Sequence, residues 1–101
     1  MFEPSEVFAH KLGGTHKIYR FDNGFGASVV RFPYSYGYED GLWELAVVII
    51  DGDDWHLTYD TPVANDVLGH LTEEEVQQIL GQIAALELDP SKTRTAEQEL
   101  G

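Results

Sequence analysis

Asn23-Gly24 lies between two segments of alternating pattern, and this dipeptide most narrows what the chain folds into. A two-residue hairpin loop follows the twist of its strands when its central residues adopt positive φ, which Asn and Gly tolerate best. Before it, Lys17, Tyr19 and Phe21 alternate with Ile18, Arg20 and Asp22 at the period of two that a strand requires. After it, Phe25 to Phe32 reads as the return strand, with Gly26 marking a bulge or a close backbone approach.

The remaining chain builds on this hairpin. Pro33 to Gly41 breaks the strand pattern. Trp43 to Ile50 is an almost continuous apolar run, the mark of a central strand covered on both faces. Asp51-Gly52-Asp53-Asp54 is a turn cluster. Trp55, Leu57 and Tyr59 alternate with His56 and Thr58, which predicts a fourth strand and a second hairpin ending near Pro62. Val63 to Leu71 reads as a connector anchored by Val67 and Leu68. Thr72 and Glu75 form a capping box, and Val76, Ile79, Leu80, Ile83 and Leu86 make one apolar stripe of a helix that Asp89-Pro90 stops.

The expected fold is α+β: a four-stranded antiparallel sheet from two hairpins, with one C-terminal amphipathic helix packed on one face. Residues 1–14 are expected to form an arm with one helical turn, 15–88 the single domain, and 89–101 a flexible polar tail. One helix covers part of such a sheet. Tyr19, Phe21, Trp55, Leu57 and Tyr59 supply candidates for the other face, left open or covered by the arm, the tail or a second subunit.

Charge bounds the function. Eighteen Asp and Glu against six Lys and Arg give 101 residues a formal net charge of −12. Direct binding to nucleic acid or to an anionic membrane is disfavoured, because both are negative. A basic protein partner is the complementary expectation. The chain has no cysteine, which removes disulfides and Cys-based zinc sites. Met1 to Lys11 lacks the basic-then-apolar order of a signal peptide, and the run Leu45 to Ile50 is far short of the roughly 20 residues that span a bilayer. The expected setting is the cytoplasm.

No residue pattern points to catalysis, a metal or a cofactor. Asp51, Asp53 and Asp54 do not follow the EF-hand order. His10, His16, His56 and His70 include no pair three to five apart, as zinc ligands commonly are. Ser28 and Ser35 lie in no nucleophile elbow, and Gly24 and Gly26 open no helix. The strongest candidate contact segment is Pro33 to Trp43. There Tyr34, Tyr36, Tyr38 and Trp43 offer aromatic area beside Glu39 and Asp40, suited to a partner presenting Arg or Lys. The plainer reading folds these tyrosines back over the sheet. A second candidate set is acidic: Asp51, Asp53, Asp54, Asp66, Glu73 and Glu74. Its plainer reading is turn solvation and stabilisation of the helix N-terminus.

The segments Tyr19 to Arg31, Gly41 to Val47, Tyr59 to Pro62 and Asn65 to Val76 resemble those of small, mostly uncharacterised proteins of tailed bacteriophages and prophages. The likeness runs between Tyr19 and Leu86. It implies a setting, the bacterial host cytoplasm, and no catalytic residue. Combined with the charge, it leads to a non-enzymatic accessory protein that binds a protein with a basic surface, such as a host protein that it inhibits. Two alternatives stand beside it: a nucleic-acid mimic that blocks a basic groove of a defence nuclease or polymerase, and a homo-oligomeric assembly protein, in its simplest form a homodimer.

Overall fold

The structure, a computed structural model, describes residues 1–10, 13–33, 38–58, 61–63 and 66–86. The strands are β1 (Glu6–Ala9), β2 (Thr15–Arg20), β3 (Phe25–Arg31), β4 (Trp43–Asp51), β5 (Asp54–Leu57) and β6 (Leu68–Leu71), followed by the helix α1 (Glu73–Ala84). The protein is α+β, with an antiparallel sheet and one C-terminal helix on one face. The order is β1-β2-β3-β4-β5, and β6 also pairs with β4. Two strands thus join the four expected. β1 comes from the expected arm, where Glu6–Ala9 is strand and not a helical turn, and β6 comes from the expected connector.

β4 explains the arrangement. Its edge away from β3 is shared: Val48 to Asp51 pair with Leu57 to Asp54, while Trp43 and Leu45 pair with Leu71 and Leu68. Gly69 and His70 then oppose Glu44 alone, a β-bulge in which His70 takes the left-handed conformation at φ 59.

Alternation divides the sheet into two faces. Tyr19, Phe25, Ala27, Val29, Trp43, Leu45 and Val47 form one core with Val76, Leu80 and Ile83 of α1. Tyr19 and Phe21, candidates for the open face, therefore lie on the helix side. Trp55 and Leu57 lie on the other side, level with Ile50 and Val48. Tyr59 and the tail lie outside the described residues.

The second face is closed by curvature. β2 and β5 are separated by β3 and β4, a flat-sheet distance of about 14 Å at about 4.8 Å per strand. Yet the rings of His16 and Trp55 are 5.8 Å apart. The Arg20 guanidinium also crosses to the β4–β5 turn, donating to the carbonyls of Gly52 at 3.2 Å and Asp53 at 3.0 Å. The sheet curls toward this face and buries Ile18, Ser28, Ala46 and Val48 inside the curl. Gly26 marks the crease. A Cβ there would stand 2.1 Å from the Tyr19 carbonyl oxygen and 3.0 Å from Ile50 Cδ1. The close-approach reading of Gly26 holds.

The β2–β3 hairpin forms as expected, with a different turn. Gly24 carries positive φ, at 88°, and Asn23 does not. Gly24 N–H donates to the Phe21 carbonyl at 3.3 Å, and Phe21 N–H to the Phe25 carbonyl at 2.9 Å. This is the longer loop in which a single left-handed residue follows a type I turn. It leaves the Asn23 side chain free to act elsewhere. Its Nδ2 donates to the carbonyls of Ile83 at 2.9 Å, Ala84 at 3.2 Å and Leu86 at 2.7 Å, and its Oδ1 accepts from Phe25 N–H at 3.0 Å.

Helix α1 begins as its sequence predicts. Thr72 Oγ1 accepts from Glu75 N–H at 3.1 Å, and Glu75 Oε1 accepts from Thr72 N–H at 2.9 Å. It ends at Ala84, ahead of Asp89-Pro90, where Asn23 takes its last carbonyls. The N-terminus is tied down too: Phe2 N–H donates to Gln77 Oε1 at 2.7 Å, and Gln77 Nε2 donates to the Phe2 carbonyl at 3.1 Å. The Phe2 ring meets Phe21 edge-on at 5.4 Å.

Gly26→Ala is expected to lower stability by about 1–3 kcal/mol, because the added methyl meets backbone in an overpacked crease. Urea unfolding checks this, and an unchanged midpoint would contradict the crease geometry.

Candidate functional site

The aromatic segment divides. Tyr38, Glu39 and Asp40 form a single exposed 3-10 turn closed by Gly41 N–H on the Tyr38 carbonyl at 2.9 Å. Trp43, unlike the described Tyr38, Glu39 and Asp40, is buried, being only 3% exposed. It opens β4 on the helix side, so its ring fills the core. Lys17 Nζ stands 4.5 Å and Arg31 Cζ 4.3 Å from its centroid. Each such contact contributes about 0.5–2 kcal/mol depending on desolvation. A buried ring covered by two cations offers no contact area to a partner. Tyr34 and Tyr36 lie outside the described residues.

The acidic candidates are all exposed, and topology sorts them to two ends. Asp51, Asp53 and Asp54 surround the β4–β5 turn, where Gly52 has φ 62. Ile50 N–H donates to the Gly24 carbonyl at 2.9 Å, which sets this turn beside Asp22 in the β2–β3 loop. Asp66, Glu73 and Glu74 flank β6 and the start of α1, at the Trp43 end of β4. The exposed pair Glu39 and Asp40 precedes the same end. The length of β4, at about 3.3 Å per residue, separates the two acidic poles by roughly 25 Å.

The cations of the described residues are each committed to structural contacts. Lys17 and Arg31 lie over Trp43. Arg31 also donates to the Gly41 carbonyl at 3.1 Å. Arg20 pairs with Glu6 at 3.2 Å while holding the Gly52 and Asp53 carbonyls. Near the Trp43 pole, Lys17, Tyr19, Glu73 and Gln77 line a cleft with room for about one water. Burial, then the charges of Glu3 and Glu73, push the Tyr19 hydroxyl above its ordinary pKa.

Sequence reasoning missed a cluster inside the curl. His16 Nε2 and Ser28 Oγ are joined by a hydrogen bond of 2.8 Å. The Phe8 ring lies 4.7 Å from His16, and His10, stacked on Phe32 at 4.0 Å, lies 6.0 Å from it. These positions share a face only because β1 forms and the sheet curls, and neither is encoded in spacing. The pair resembles half of a hydrolytic triad, but Ser28 sits in interior strand β3, whose amides serve the ladders to β2 and β4. An interior ladder strand is not the strand-to-helix turn on which a nucleophile elbow presents its serine. The contact satisfies two polar groups in a partly dry site. Burial, then the charge of His10, lowers the His16 pKa.

Among the described residues, no three His, Asp or Glu converge as metal ligands, and no helix is long and apolar enough to cross a membrane. Comparison with protein families, with curated proteins and with solved structures finds no match.

His16 titrates below its ordinary 6.5 in the folded chain, so the unfolded chain takes up this proton first as pH falls. Stability is expected to fall as pH drops below that value. Urea midpoints across this range should change less for His16→Gln, which keeps a polar partner for Ser28 without titrating. An equal pH dependence in both chains would refute the assignment.

Proposed function

We propose that this chain is a small acidic phage accessory protein that acts without catalysis, by binding a protein with a basic surface. The observation that carries the reading is the disposition of charge. Lys17, Arg20 and Arg31 are drawn into internal contacts, while the acids of both poles are exposed. Exposed acids accelerate encounter with a basic partner and select its register.

The Asp51–Asp54 pole is the better docking end. It adjoins β5, where Trp55 is half-buried and Leu57 is 47% exposed, so charge and apolar area meet on one short edge strand. Tyr38, Glu39 and Asp40 serve the other pole. An inhibitor of a host protein in the bacterial cytoplasm is the corresponding biological role. The mimic of nucleic acid draws on the same charge, and its separate signature is competition by duplex DNA.

The test is a pull-down of the tagged protein from bacterial lysate at about 0.1 and about 1 M salt, over which the screening length drops from about 10 to about 3 Å. The expected result is a basic partner that is held at low salt and released at high salt. The triple variant Asp51→Asn, Asp53→Asn, Asp54→Asn should lose that partner while unfolding at a similar urea concentration. Undiminished capture by the triple variant would overturn the assignment of this pole.

A further inference from the structure

We infer that Asn23 is a deamidation site which the fold protects, and that its conversion to Asp unlatches α1 from the sheet. The inference is independent of the binding role.

Asn followed by Gly is chemically the most exposed amide pairing a chain offers, because Gly has no Cβ to hinder its backbone nitrogen. In an unfolded chain the Gly24 nitrogen attacks Asn23 Cγ. A new C–N bond forms, the Cγ–Nδ2 bond breaks, and ammonia leaves with the proton that the Gly24 amide gives up. Water then opens the five-membered succinimide to Asp or to isoaspartate. The sequence requires only water.

The folded chain blocks both partners of that step. The nucleophile is engaged, since Gly24 N–H donates to the Phe21 carbonyl at 3.3 Å. The carboxamide is pinned from both ends: Nδ2 on the carbonyls of Ile83, Ala84 and Leu86, and Oδ1 on Phe25 N–H at 3.0 Å. Asn23 is also half-buried between the hairpin and the helix end. Attack therefore requires an opening that frees the hairpin from α1.

The product does not fit the site it leaves. A carboxylate oxygen in place of Nδ2 would face three carbonyl oxygens at the negative end of the helix dipole. Two donor hydrogens would be lost together, and Asp22 stands next in the chain. Among the described residues, Lys17 and Arg31 lie over Trp43 and Arg20 is held by Glu6 and the Gly52 and Asp53 carbonyls, so none of the three is bonded at the Asn23 amide. Each deamidation thus converts a transient opening into a lasting one.

The full-length protein serves for the test. It is held in mildly alkaline buffer with and without unfolding concentrations of urea, and the tryptic peptide Phe21–Arg31, in which Asn23 is the one Asn, is followed by mass spectrometry. Conversion at Asn23 should be at least about tenfold slower in the folded protein, in proportion to the rarity of the opening. Equal rates in both conditions would overturn the protection. Asn23→Asp and Asn23→Ala are then compared by urea unfolding. Asp should be the less stable of the two at neutral pH, with the gap narrowing as pH approaches the ordinary Asp value of about 3.9. An Asp variant that unfolds at the wild-type urea concentration would overturn the unlatching.

Discussion

The structure depends on the need of β4 to be covered on every side. Leu45, Val47 and Val48 are essentially inaccessible to water, and they point to opposite faces of one strand. A single helix satisfies one face. The other is satisfied by bending the sheet on itself, which brings β1 and β2 toward β5 and places Arg20 as a strap across the crease. Helix, curl and glycine crease are three answers to the same apolar run.

The electrostatics follow from this packing. The cations of the described residues are half-buried, with their charges over Trp43 or beside Glu6. The acids occupy turns and the helix start, where they serve solvation and capping locally. Among the described residues, structural cations are thereby set apart from the exposed acids of the turns and the helix start.

Local signals were the legible ones. The Asn23-Gly24 hairpin, the apolar run of β4, the Asp-rich turn and the Thr72–Glu75 capping box are each written within a few consecutive residues, and all four form. What was not legible depends on residues far apart. β1 carries no strong alternation, since Glu6 to Ala9 are all exposed and are strand only because β2 offers an edge. β6 contains a bulge with a left-handed His70, which disguises its pattern. The His16–Ser28 contact needs the curl. Trp43 both opens the apolar run of β4 and neighbours three tyrosines, so the sequence offers it as strand residue and as contact aromatic. Its burial follows from parity with Leu45 and Val47, a period-of-two argument that the sequence permits once the helix-facing side is known.

The Asn23 amide joins residues as many as 63 positions apart, since it reaches the Leu86 carbonyl. Such a contact requires the hairpin and the helix end both to be in place, and a long loop must close before it is made. Interactions made late act on the return journey: they set how long the native chain survives before it opens and leave the speed of assembly nearly untouched. For a latch that closes after hairpin and helix have formed, Asn23 bears on the lifetime of the folded molecule more than on its rate of formation.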